Sequence, residues 1–111
     1  MEEIWKDIEG YEGLYQVSTM GRVRSLDLLK HFYPRDRKAY QKVLKGKVLK
    51  PHFRSEFMFS LLYRNGEFEY KSIHHLVANA FLENPMNYKY IKFKDGDKSN
   101  VRLDNLVWST K

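Results

Sequence analysis

Only one stretch of this sequence has the spacing of a helix, and that limits the fold more than any other feature. Ile73, Leu76, Val77, Ala80 and Phe81 fall at i, i+3, i+4, i+7 and i+8, which gathers them on one face, and Pro85 ends the pattern. Ser72 stands at the N-cap position. The spacing predicts one principal helix over about residues 73–83. Everywhere else the apolar residues come in short runs, broken by Gly, Pro or Asn, in which ring or aliphatic residues alternate with polar ones as in half-buried strands.

Several of these runs pair by their turns. Tyr15-Gln16-Val17-Ser18 and Arg22-Val23-Arg24-Ser25-Leu26 flank Thr19-Met20-Gly21, where Gly21 can take a positive φ. Phe57 to Tyr63 and Phe68 to Ser72 flank Arg64-Asn65-Gly66-Glu67, and Asn-Gly between aromatic runs is a strong hairpin signal. Lys45 to Pro51 reads as a short strand that Pro51 ends or pushes to an edge. Tyr88 to Phe93 and Val107 to Ser109 read as two more strands around an Asp95-Gly96-Asp97 turn. Asp27 to Tyr40, with Pro34 and dense charge, reads as a long loop. The fold class expected is α+β: short, mostly antiparallel strands with one main helix.

A chain of 111 residues has material for one core, so residues 1–111 are expected to form a single domain. With 42% hydrophobic and 15% aromatic residues the chain is not compositionally disordered. It has no cysteine, which excludes disulfides, thiolate zinc sites and cysteine nucleophiles. No signal peptide and no run of 18 apolar residues is present, so a soluble, non-secreted protein with no membrane partner is expected.

Charge is unevenly placed. Residues 1–21 have one Lys against five carboxylates, whereas residues 22–54 have eleven Lys or Arg against Asp27 and Asp36, a balance of +9. Such a stretch either attracts a polyanion by steering and counterion release or is a solvated loop. The candidates for phosphate contact are Arg22, Arg24, Lys30, Arg35, Arg37, Lys38, Lys42, Lys45, Lys47 and Lys50, with Phe32, Tyr33 and Tyr40 interleaved as in stacking surfaces.

Two segments resemble known modules. EIWKDIEGYEGLYQVSTMGRVRSL at 3–26 is similar to the small N-terminal module of phage and bacterial homing nucleases, and IHHLVANAFLENPMNYKYIKFKDGDKSNVRLDNLVW at 73–108 resembles their HNH domain. KGKVLKP at 45–51 fits the linker of that family. The resemblance implies a division into 3–26 (nuclease-associated module), 27–55 (basic linker region) and 56–111 (an HNH-like ββα-metal part), with a phage origin and DNA lying along the module and linker.

The same resemblance implies Asn-His or Asp-His at the end of the strand before the Asp-Gly turn: a general base and a metal ligand. Lys92 and Phe93 stand there. A phenyl ring accepts no proton from water, and an ammonium repels a cation. The resemblance further implies a helix after the tryptophan with another metal ligand, and no such helix follows Trp108 within this sequence. The expectation is therefore a degenerate HNH part without its last helix, no catalytic residue, no metal, no cofactor and no enzyme activity. His74, Asp95, Gly96, Asn100, Asn105 and Trp108 are the retained motif residues, with Asn105 fixing a loop and His74 buried near the sheet.

Asp95, Asp97 and Ser99 begin like a calcium loop, but Asn100 and Leu106 stand where Gly and Glu are needed. No phosphate-cradling loop, nucleophile triad or small-molecule site is visible. Three functions remain: a structural or protein-interaction module, such as an auxiliary protein of a phage capsid; a non-catalytic DNA-binding protein using residues 22–54; and an active metal-dependent DNA endonuclease. The location expected is host cytoplasm or virion.

Overall fold

Among the described residues tight turns build four small antiparallel sheets, and the one α-helix supplies the surface on which most of them pack. The computed structural model describes residues 2–110. β1 (Trp5–Asp7), β2 (Tyr15–Ser18) and β3 (Val23–Ser25) form a sheet in that order. Residues 47–49 run beside β3, with Ser25 N donating to Lys47 O at 2.9 Å and Leu49 N to Val23 O at 2.8 Å. The strand expected from Lys45 to Pro51 is thus reduced to a single bridge, Arg24 to Val48.

β4 (Leu28–Phe32) and β5 (Tyr40–Leu44) pair with each other, so the long loop expected from Asp27 to Tyr40 is instead an ordered hairpin with a tip at 33–39. Both of its faces are exposed, so it has no inward side for an apolar alternation to mark. β6 (His52–Arg54), β7 (Phe57–Arg64) and β8 (Glu67–Ser72) make the second three-stranded sheet. Asn65 and Gly66 at its turn have φ of 54° and 80°, the double positive φ of a type I′ hairpin.

Helix α1 (Ile73–Phe81) follows directly and ends with the apolar pattern at Phe81, two residues short of the expected span of 73–83. Ser72 occupies its N-cap position, but its hydroxyl pairs with His75 Nδ1 at 2.6 Å and makes no capping bond. β9 (Tyr90–Phe93) and β10 (Leu106–Ser109) close the chain as an antiparallel pair. Ile73, Leu76 and Val77 of the helix meet Val17, Leu62, Phe93, Val101 and Leu106 from the surrounding strands in one core. The α+β class, the single main helix and the antiparallel strands agree with expectation.

Gly21 shows why its turn needs glycine. Its φ is +79°, and a Cβ there would lie 2.8 Å from the carbonyl oxygen of Val101, which packs across the turn. Gly21→Ala is expected to destabilise the fold by about 2 kcal/mol, from left-handed strain plus the displaced Val101. Urea unfolding of the two proteins measures it.

No residue from 27 to 45 enters the core. The molecule is accordingly elongated, 58 × 28 × 24 Å, with a radius of gyration of 16.7 Å; a compact chain of this length would have about 13 Å. The β4–β5 hairpin is an arm.

Candidate nucleic-acid interface

The arm concentrates the charge. Between Leu28 and Lys45 there are six cations against Asp36 alone. Pairing places Lys30 directly opposite Lys42, a cross-strand arrangement that disfavours the empty hairpin and suits one lying against an anion. The same ribbon face has Phe32 opposite Tyr40, with rings stacked at 5.1 Å, and Leu28 opposite Leu44. Arg35, Arg37 and Lys38 occupy the exposed tip, where the Arg37 guanidinium lies 5.1 Å from the Tyr40 ring.

The root of the arm is pinned. Asp27 Oδ1 accepts the Gly46 N–H at 2.8 Å, and Lys45 lies 3.6 Å from the same carboxylate. The Gly46 amide, with Lys45 beside it, holds the Asp27 carboxyl below its ordinary range. A Cβ on Gly46 would meet the backbone of Ser25 and Leu26 at 2.8 Å, so only glycine lets the returning chain approach β3 this closely.

The structure splits the single basic stretch of the sequence. Arg22 is bound through Nε and Nη2 to the Glu3 carboxylate, which this pairing and the guanidinium charge lower to about 2. Arg24 donates to Gln16 Oε1 at 2.6 and 3.0 Å and lies 4.1 Å from the Trp5 ring. Those two side chains are engaged in holding the N-terminal sheet. Lys47 and Lys50 are exposed beside the β6–β8 sheet, away from the tip.

At the other end, α1, β9 and β10 position the motif residues. Phe93 is buried against Phe57 and His74, while Lys92 alternates to the exposed face of β9. His74 is 7% exposed, its ring 5.1 Å from Phe93 and 4.5 Å from His75, and its Nδ1 has no hydrogen-bond partner. The expectation that His74 is buried holds. Burial, with His75 adding repulsion, lowers its pKa to about 4; burial lowers His75 as well.

The Asp-Gly turn is bound internally. Asp95 Oδ1 accepts from the Asp97 amide at 2.8 Å and from Asn105 Nδ2 at 3.0 Å, and its Oδ2 accepts from Asn100 Nδ2 at 2.9 Å. Asn105, buried, also accepts the Asp95 N–H on Oδ1 and donates to the Asn100 carbonyl. The Asn100 amide is the main cause holding the Asp95 carboxyl below its usual range. Among the described residues no group of three or more His, Asp or Glu side chains could hold a metal ion. Asp95 thus accepts three hydrogen bonds and the whole Asn105 amide is engaged in the loop, with Lys92 exposed on the preceding strand. Gly96 supplies the turn with φ of 76°, and Trp108 sits half-buried on β10.

Sequence reasoning missed the ring-bearing outer surface of β6–β8. Its signal was the alternation of Phe59, Leu61 and Tyr63 with Ser60 and Leu62 along β7. No helix among the described residues is long and apolar enough to cross a membrane.

Comparison with known proteins gives the setting. Residues 3–56 match the NUMOD4 motif family and residues 71–111 the HNH endonuclease family. The DNA endonuclease I-HmuI of Bacillus phage SP01 is 36% identical over 109 residues, which span 96% of this chain and 52% of that protein. The uncharacterized HNH endonuclease L247 of Acanthamoeba polyphaga mimivirus is 35% identical over 112 residues, 97% of this chain and 24% of its own. A solved structure described as DNA binding and cleavage by the HNH homing endonuclease I-HmuI superposes with a TM-score of 0.66 at 34% identity, over 99% of this chain and 53% of that one. The chain thus spans about half the length of I-HmuI or less of such relatives.

These findings overturn the expectation that the chain is no enzyme, since relatives matching nearly its whole length are named as endonucleases. That expectation rested on Lys92 and Phe93, two adjacent positions of one strand, and on a helix not present after Trp108. I-HmuI is about twice as long as the region matched, and His75, Asp95 and Asn105 lie at this end of the fold.

Proposed function

We propose, on the premise that this chain belongs to the HNH homing endonuclease family, that it is the DNA-gripping unit of an endonuclease and that the β4–β5 arm supplies its hold on duplex phosphates. The observation that carries this reading is the arm itself: five cations and one carboxylate on a hairpin that makes no contribution to the core. A solvated loop would not need the ordered, like-charged Lys30 and Lys42 pair. The molecule's 58 Å long axis is matched by about 17 base pairs of duplex at 3.4 Å each. Lys30, Arg35, Arg37, Lys38 and Lys42 are assigned to phosphates, and Arg22 and Arg24 to holding the sheet beneath them. An accessory role on a phage particle has no surface feature of its own to rest on.

The test is duplex binding by fluorescence anisotropy across a salt series. About five phosphate contacts predict a log–log slope near −4.5. Affinity that is flat across the salt series overturns the reading. Incubation of supercoiled plasmid with magnesium or manganese runs alongside; nicking that His75→Ala removes would assign the chemistry to the α1 end of the fold.

A further inference from the structure

The outer face of β6–β8 has a composition unlike the rest of the molecule. Along β7, Ser60 and Leu62 point to the core, so Phe59, Leu61 and Tyr63 point away from it. The register adds cross-strand neighbours on that outer side: His52 and Ser72 beside Phe59, Tyr70 beside Leu61, and Phe68 beside Tyr63. Arg54, two residues beyond His52, places its guanidinium 4.4 Å from the Tyr70 ring, and the His52 ring lies 5.6 Å from the same ring. Tyr63 and Phe68, 5.9 Å apart, are 53% and 63% exposed.

Charge on these strands is segregated by face. Glu67 pairs with Arg64 and Glu69 with Leu62, which puts both carboxylates on the opposite side of the sheet, where Glu69 accepts from Lys71 at 3.2 Å. The outer side has rings and cations and no carboxylate from any of the three strands. At its edge a groove of about 370 Å³ runs between the returning segment, with Lys47 and Lys50, and the side chains of His52, Leu61 and Tyr63. Neither lysine has an ion-pair partner among the described residues.

We propose that this face binds single-stranded nucleic acid, with unpaired bases stacking on Tyr63, Phe68 and Tyr70 and the backbone phosphates following Lys47, Lys50 and Arg54. Exposed rings gain little from a duplex, whose bases are already stacked and present only their edges in the grooves; an unpaired base offers a π-face of matching size. A second copy of the chain is a poor occupant, because two such faces would bring cation against cation. The proposal goes beyond duplex binding by the arm and uses a different surface.

The experiment is anisotropy with labelled oligomers of about 20 nucleotides, deoxythymidine and uridine homopolymers and a mixed duplex, against the parent protein and three variants. Tyr63→Ala with Phe68→Ala is expected to weaken both homopolymers at least tenfold and leave the duplex unchanged, since the stacking platform for unpaired bases is lost. Tyr63→Leu with Phe68→Leu, which keeps the surface apolar without rings, is expected to lose as much. Glu in place of Arg35, Arg37 and Lys38 is expected to weaken the duplex far more than the homopolymers, so failure of the arm and failure of this face read out separately. A difference between deoxythymidine and uridine would identify which strand the face prefers. Homopolymer affinity unchanged in the alanine pair, full retention in the leucine pair, or an equal loss on duplex would each overturn the proposal.

Discussion

Replacing Arg35, Arg37 and Lys38 together by glutamate is expected to weaken duplex binding about a hundredfold at about 0.1 M salt, and to reduce the salt slope by about three. The three side chains stand at the exposed tip of the arm, and apart from the Arg37 contact with Tyr40 they touch nothing that folding depends on. Each phosphate they neutralise releases counterion, so their combined effect grows as salt is lowered and shrinks as it is raised. The unfolding midpoint in urea is expected to stay within the error of the parent, because nothing from 27 to 45 is in the core. A matching loss from Arg22→Ala or Arg24→Ala without loss of stability would move the contact surface onto the N-terminal sheet.

Acid is expected to weaken the fold through His74. Its pKa is lowered from 6.5 to about 4 by burial among Phe57, Phe93 and His75, so the native state prefers the neutral ring. Above pH 6.5 neither folded nor unfolded His74 is protonated, and its contribution to stability is fully present. As pH falls from 6.5 towards 4 the unfolded chain takes up a proton that the native state refuses, and stability drops by about 2 kcal/mol between pH 7 and pH 4.5. His75, lowered in the same direction, adds to the loss. Glu3, Asp27 and Asp95 are lowered carboxylates, whose stabilisation is lost at more acidic pH. Denaturant titrations at the two pH values measure the drop, and His74→Phe, which replaces the ring by one suited to its aromatic neighbours, is expected to flatten it. A drop of the same size in that variant would place the titrating group elsewhere.

The elements that were legible in the sequence are those with one buried side. The i, i+3, i+4 pattern of α1 and the Asn65-Gly66 turn announce themselves because burial and positive φ each demand particular residues. The arm did not, since Leu28, Leu29, Val43 and Leu44 are all exposed and neither ribbon face alternates with a polar one. β1 and β6, three residues each, are too short for any period to show. At the candidate site the residue types were legible and their commitments were not. Arg22 and Arg24 look in sequence like the other basic residues; only their distance to Glu3, Gln16 and Trp5 separates them from the tip. Asn105 was expected to fix a loop because the partner His of the motif is absent, and its amide bonds Asp95 and the Asn100 carbonyl. Lys92 and Phe93 show how far two positions can mislead when they are used to settle an activity against relatives that match nearly the whole of this chain.

The attachment of the arm has an evolutionary consequence. Its root is fixed by Asp27 and Gly46, while everything beyond the root lies off the core. Changes of sequence or length at 33–39 therefore leave the core untouched, and the phosphate grip proposed for the arm can drift in strength without spending the small stability margin that a domain of this size possesses. On that reading, hold on the duplex could be strengthened or given up one arm residue at a time while the scaffold beneath stays constant.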